Sequence, residues 1–147
     1  MDEILQLKQY LLEARYDEAL MLADELEEMA KDDKITRIGS FAVILMMHLV
    51  KQEVEQRTTR SWDLSIAEAV DRIYDSNSRR KSHGSYLQES ELRETLEAKF
   101  HHALRRAAAE IHEGKFTAKE LVRIVQRQAI IDKALHLILT YNPNDEE

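Results

Sequence analysis

Four residues close together in the chain, Arg57, Arg60, Ser61 and Trp62, carry the side chains best suited to hold an anion. A helix starting near Ser61 presents backbone N–H groups and the positive end of its dipole to an incoming negative charge. Two guanidinium groups just before it add forked donors that match phosphate or carboxylate. The same residues also support a scaffold reading, in which Arg57 and Arg60 pair with the acids of the second helix, Ser61 caps and Trp62 fills the core. Further back, His48 lies in a run of ten residues, 41–50, with no formal charge and no other polar side chain. Burial there favours the neutral imidazole. His48 then either bonds a backbone carbonyl or a carboxylate, with Glu25 and Glu28 as candidate partners in a structural clamp, or lines a pocket as an acid–base group.

Other residues with chemical potential are less specific. Arg79, Arg80 and Lys81, with His83 and Tyr86 nearby, form a basic segment that could meet RNA or DNA phosphates or stand as a solvated loop. His101, Arg105, Ala108 and His112 share one helical face, and His102 adjoins it. Neither HExxH nor the Glu-x-x-His pair of di-iron bundles occurs. The residues three before the histidines are Leu45, Arg80, Ala98, Lys99, Ala109 and Lys133. Met46 and Met47 read as core filler. The absence of cysteine excludes a thiolate nucleophile, a disulfide and Cys-ligated zinc. Phosphate-loop, dinucleotide and serine-elbow patterns are also missing. The expectation is therefore no metal and no cofactor.

The elements that position these residues all read as helices. The first spans about 2–13, with Ile4, Leu5, Leu7, Leu11 and Leu12 as its apolar side, and a short turn at Arg15, Tyr16 and Asp17 follows. Asp17 is the expected N-cap of the second helix. That helix reaches about residue 30 and places Ala19, Leu22, Ala23, Leu26, Met29 and Ala30 at three-and-four spacing. Asp32 or Asp33 should cap a third helix over about 34–56. Its segment 41–50, apolar all round, must be wrapped by other helices, because roughly 20 apolar residues are needed to cross a lipid bilayer. Gly39 suits a close helix crossing there. A fourth helix is expected over about 61–77 and a loop over 76–84. A fifth runs about 90–113, with Gly114 at its C-terminal cap. Thr117 and Glu120 form a capping box that starts a sixth, to about residue 141. The expected fold is all-α: one domain over 1–147, an antiparallel bundle of about six helices around the buried helix 34–56.

Composition agrees with this assignment. Of 147 residues, 44% are hydrophobic and 33% charged, with three glycines and one proline, too few breakers for many hairpins. The net charge of -7 is concentrated at one end, since residues 1–33 hold eleven acids against three bases. Such a surface repels nucleic acid, so a phosphate-binding patch would have to lie later in the chain. The amino terminus opens with two acids, Asp2 and Glu3, where a secretory leader needs bases before an apolar core. No membrane association is expected, and the localisation read from the sequence is cytoplasmic.

At ELEEMAKDD (25–33), ILMMHLVK (44–51) and RTTRSW (57–62) the chain resembles a bacterial family, common in cyanobacteria, catalogued as domain of unknown function twenty-nine. The family pattern has an acidic E-x-E run ending in Met-Gly-Lys, then Leu-Leu-Met-His-Leu-Leu-Lys, then Arg-Ser-x-Ser-Trp. Its positions fall here on Glu25, Glu27, Met29, Lys31, Met47, His48, Leu49, Lys51, Arg57, Ser61 and Trp62. Ala30 replaces the usual glycine, Gln52 and Glu53 stand where a Trp-Gln pair is common, and no proline follows. The resemblance covers about 8–113 and leaves 114–147 as an additional C-terminal helical region. It implies an all-helical bundle and carries no activity.

No motif fixes a reaction. The preferred reading is a small cytosolic helical protein-interaction or regulatory module without catalysis, acting on a protein partner or by self-association. The alternative is a nucleic-acid-linked or anion-binding protein that uses Arg57, Arg60 and Trp62 with the loop of Arg79, Arg80 and Lys81. A third reading is an enzyme built around His48 and an acidic partner.

Overall fold

Few residues in this chain can stop a helix. Three of the helix starts are fixed by a side chain, with Asp2, Thr59 and Thr117 each accepting a backbone N–H. The computed structural model describes residues 2–79 and 84–144, with the backbone alone at His112 and Glu113. Among the described residues there are six α-helices: α1 (Glu3–Leu12), α2 (Tyr16–Glu55), α3 (Arg60–Asn77), α4 (Glu89–Glu110), α5 (Ala118–Ile124) and α6 (Arg127–Thr140). A 3₁₀ turn, Ile111–Gly114, joins α4 to α5. The fold is all-α, as the sequence requires. The chain forms two compact units, Met1–Lys34 and Ile35–Glu147, and α2 contributes to each.

In the first unit, Asp2 caps α1 by accepting the Ile4 N–H at 2.8 Å. The helix ends on Ala14, whose φ of 57° lies in the left-handed region. The Ala14 and Arg15 N–H groups return to the carbonyls of Leu11 and Tyr10 at 3.2 and 2.8 Å. That pairing is the Schellman closure, normally built on glycine. Asp17, expected as the N-cap of the next helix, instead lies inside its first turn, where its charge opposes the helix dipole. At the start of α2, Ala19 is buried and Leu22, Ala23 and Leu26 are half-buried.

The expected break at Asp32 and Asp33 does not exist, and the second and third expected helices are one, α2. Between Tyr16 and Ile38 there is neither glycine nor proline. An interior Asp costs only ~0.7 kcal/mol against Ala, so without a stronger breaker a cap residue stays in the helix. Acid-to-base spacings of four, such as Glu27 to Lys31 and Asp33 to Arg37, favour continuation. The helix expected over 117–141 shows the reverse error, since it divides into α5 and α6 at Val125 and Gln126.

The second unit holds the core. From α2, Ala42, Val43, Leu45, Met46, Met47, Leu49 and Val50 are buried, while Phe41 and Ile44 are half-buried. They join Ile73 of α3, Leu96, Phe100 and Leu104 of α4, Leu121 of α5 and Ile131 and Leu135 of α6 in one apolar cluster. Helix α4 packs against α5 and α6, and α6 against α3. Gly39 admits the Lys99 side chain, whose Cε would lie 2.9 Å from a β-carbon built at that position. Thr117 and Glu120 bond reciprocally at 3.2 Å, as the sequence indicates. Helix α4, however, ends at Glu110 with Ile111 as its C-cap, and Gly114, expected as that cap, closes the following 3₁₀ turn at φ 82°.

Ala14 gives the first test. A non-glycine residue in the left-handed region costs about 1–2 kcal/mol, partly offset in glycine by its greater chain entropy. Ala14→Gly is therefore expected to stabilise α1 by about 0.5–1 kcal/mol. Amide hydrogen exchange along α1 should slow roughly two- to fivefold; exchange at the wild-type rate would contradict the assigned turn.

Candidate functional site

Helix α2 stops at Glu55, and Gln56 (φ 50°) turns the chain out of it. Three residues later α3 begins, with Thr59 extended at φ -125°, ψ 160° as its N-cap. The Thr59 hydroxyl accepts the Trp62 N–H at 3.1 Å, so the cap is Thr59 and not Ser61. Gln52 donates to Thr58 at 2.8 Å, and Thr58 donates to Asp63 at 2.7 Å, which ties the connection to both helices. This short link returns Trp62 to the last turns of α2.

Around the half-buried indole three cationic or basic groups converge. Lys51 Nζ lies 4.7 Å from the ring centroid, and the Arg57 guanidinium carbon 4.9 Å. The His48 ring is 6.5 Å away and tilted by 41°. His48 and Lys51 reach the same neighbour because they are three residues apart on one helix. A cation over an indole face is attracted by the ring quadrupole, by up to ~2 kcal/mol where water is excluded.

The charges are matched locally. Lys51, only 6% exposed, donates to Glu110 at 3.1 Å. A buried ammonium is tolerated when it is paired and hydrogen-bonded, and Glu110 with the Trp62 ring meets that need. Arg57 Nε bonds Glu55 at 2.9 Å. Arg57 therefore pairs with the end of its own neighbouring helix, α2. Arg60 and Ser61 are exposed in the first turn of α3. The structure thus brings Arg57 and Trp62 together with His48 and Lys51.

His48 is 8% exposed, and its Nδ1 has no hydrogen-bond partner among the described residues. Burial pushes its pKa below the ordinary 6.5, the Lys51 charge adds to this, Glu110 opposes it, and Arg106 lowers it further. Glu110, from α4, is the carboxylate that acts on His48. Glu25 and Glu28, proposed as its partners, lie exposed in the first unit.

Elsewhere the sequence candidates disperse. Arg79 stacks over Tyr86 with 4.7 Å to the ring centroid, while Arg80, Lys81 and His83 lie outside the described residues. His101 and His102 are exposed on α4, and the side chain of His112 is outside the described set. Among the described residues, no three His, Cys, Asp or Glu side chains gather as metal ligands. No described helix is long and apolar enough to cross a membrane. Sequence reasoning missed the buried Asn77, whose side chain donates to the Leu87 carbonyl at 3.1 Å and accepts the Leu87 N–H at 2.7 Å, closing the α3–α4 loop. It also missed Thr59, Glu55 and Glu110. A Thr two residues before Ser61 was a legible cap, but nothing local points to Glu110, which is 59 residues from Lys51.

A second feature was misplaced and not missed. Of the five apolar residues assigned to the packed side of α1, only Leu7 is half-buried. Ile4, Leu5, Leu11 and Leu12 stand 50, 61, 51 and 87% exposed.

The geometry defines an all-helical protein with a tryptophan flanked by Lys51 and Arg57 and with an exposed apolar helix near its amino terminus. Residues 4–133 match the family described as Domain of unknown function DUF29, and the chain belongs to that family. The match extends beyond the stretch 8–113 in which the resemblance was read and takes in α5 and half of α6. No curated protein and no solved structure matches the chain.

The state of His48 can be checked by its effect on stability. A histidine held neutral in the folded chain contributes fully above its unfolded pKa of about 6.5. That contribution is lost as pH falls from there towards the depressed folded value, because the unfolded chain takes up the proton first. Between pH about 7 and about 5, wild-type Tm should therefore fall more than that of His48→Leu. At pH 7 the variant should be at least as stable, since it removes a buried polar atom whose missing bond costs about 1–3 kcal/mol. Equal pH slopes would show that His48 is not a buried neutral group.

Proposed function

We propose that the chain is a protein-interaction module without catalysis, and that it docks its partner through the outward face of α1. The supporting observation is the exposure of Ile4, Leu5, Leu11 and Leu12 on a ten-residue helix. Ile4 with Leu11, and Leu5 with Leu12, are seven residues apart, two helical turns, so they form one stripe about 12 Å long. Covering side chains this exposed contributes roughly 1 kcal/mol or more each. Isolated exposed leucines need no explanation, whereas a contiguous stripe of them marks a contact surface.

The cluster at Trp62 supports a structural role. Lys51 and Arg57 already have carboxylate partners, and Thr59 occupies the Trp62 N–H that an anion would use. Anion or nucleic-acid binding at Arg57, Arg60, Ser61 and Trp62 is the second reading, supported by the exposure of Arg60 at the first position of α3.

The test is site-specific crosslinking in the source cell, with a photoreactive phenylalanine analogue in place of Leu12 or, as control, of the exposed His101. A discrete adduct is expected from position 12, absent from position 101 and lost on adding Leu5→Glu. Identical adducts from both positions, no adduct at all, or an adduct indifferent to Leu5→Glu would overturn the reading.

A further inference from the structure

His48 and Lys51, 8% and 6% exposed and three residues apart on α2, both depend on the carboxylate of Glu110. Glu110 comes from α4 and already accepts from Lys51 at 3.1 Å. The other charges that act on the imidazole, Lys51 and Arg106, are both positive. Arg57, at the Trp62 ring, is held by Glu55. A protonated imidazole donates from both nitrogens, and among the described residues His48 Nδ1 meets no acceptor. The corner thus accommodates a neutral imidazole beside one buried cation and not two buried cations.

The wall of this corner that can give way is the start of α3. Over 60–68 no side chain is buried, Trp62 and Ile66 are half-buried, and the first buried residues of the helix are Ala69 and Val70. Hydrogen bonds of the connection hold this stretch in place: Thr59 accepts the Trp62 N–H, and Thr58 is bonded to Gln52 and Asp63. The other wall, α4, buries Phe100, Ala103, Leu104, Ala107 and Ala108 and packs against α5 and α6. A segment with few buried contacts opens at a far lower free-energy cost than such a core.

From this cluster we infer that protonation of His48 releases residues 60–68 from α2, so that Trp62 swings out and water reaches His48 and Lys51 while the rest of the bundle stays folded. The corner is an acid-responsive latch. In the open form the imidazole is solvated and takes up a proton near its ordinary 6.5, whereas burial and the Lys51 charge hold it lower in the closed form. The ratio of open to closed therefore rises by up to about tenfold per unit as pH falls below about 6.5, and levels off beneath the closed-form value. Above pH about 7 the imidazole is neutral in both forms and the latch stays shut.

Amide hydrogen exchange on the full chain between pH about 7.5 and about 5, read as protection factors, tests this. The Asp63 N–H, bonded to the Thr59 carbonyl at 3.0 Å, and the amides of 64–68 report the latch. Their protection should fall by up to about tenfold per unit below pH about 6.5, while amides of α4 near Ala103 keep theirs. Emission from Trp62, the only tryptophan, should shift to the red over the same range and become quenchable by acrylamide. His48→Leu should abolish both changes. Lys51→Met frees Glu110 to pair with the imidazolium, so His48 ring resonances should titrate at a higher pH than in wild type, without the red shift. Constant protection over 60–68 down to pH about 5 overturns the proposal, whether or not His48 titrates. So does an equal loss of protection in α3 and α4, which is global unfolding, or a fluorescence change that survives in His48→Leu.

Discussion

Residues 41–50 lie in the dry interior as part of one helix, and this confinement governs the second unit. Ala42, Leu45, Met46 and Val50 expose nothing to solvent, so the rod must be enclosed on most sides. Helices α3, α4, α5 and α6 contribute to that enclosure from separate points in the sequence. Its less enclosed side runs through the exposed Arg37 and Ser40 and the half-buried Phe41 and Ile44, and His48 and Lys51 follow on that side at three-and-four spacing. The arrangement around Trp62 follows from that. The indole covers the ammonium, Glu110 neutralises it, and the three-residue link after Gln56 is short enough to bring the start of α3 back over the same turn.

Both kinds of chemistry are written along a single helix. Up to Lys34, α2 is acid-rich and half-solvated; from Phe41 to Val50 it is apolar but for His48. A continuous backbone does not demand a continuous environment, because each turn of helix satisfies its own hydrogen bonds wherever it lies. The first unit illustrates the consequence. Among the described residues it has one buried apolar side chain, Ala19, and so little core of its own, while Leu5, Leu11, Leu12, Leu20, Met21 and Met29 are exposed.

The all-helical fold, the core segment and the capping box at Thr117 were legible because apolar spacing and local backbone chemistry determine them. The errors lay at boundaries where a weak local signal met a stronger continuing pattern. Asp32 and Asp33 are good cap residues, yet nothing forces the chain out of helix there. At the other end the information was present but unread. At about 100° per residue, Leu121 and Val125 point roughly 130° away from the face shared by Ile130, Ile131, Ala134, Leu135 and Ile138. One straight helix cannot bury both sets, so the break at Val125 and Gln126 was implied by phase. The residues gathered at Trp62 were only partly visible. His48, Arg57 and Trp62 stood out by type and Lys51 by family resemblance, but Glu110 is fixed by tertiary packing alone. The stripe on α1 was read as inward because periodicity identifies an apolar face and says nothing of what covers it.

The contrast between these two places bears on function. At Trp62 the two cations that lie over the ring, Lys51 and Arg57, are each matched by a carboxylate within the chain, and burial favours the uncharged form of the imidazole. A site already neutralised in this way has little left to offer an anion, since binding would first have to separate Lys51 from Glu110 or Arg57 from Glu55. On α1 the balance is reversed. Leu12, at 87% exposure, contributes almost nothing to the fold, and neither Leu5 nor Leu11 contributes much more. Helix propensity alone does not require leucine at these positions, because Glu, Lys or Gln would serve nearly as well and keep the surface wet. Apolar side chains repeated at two-turn intervals on an open face are what the proposed docking role would use, and the fold itself gives them no other task.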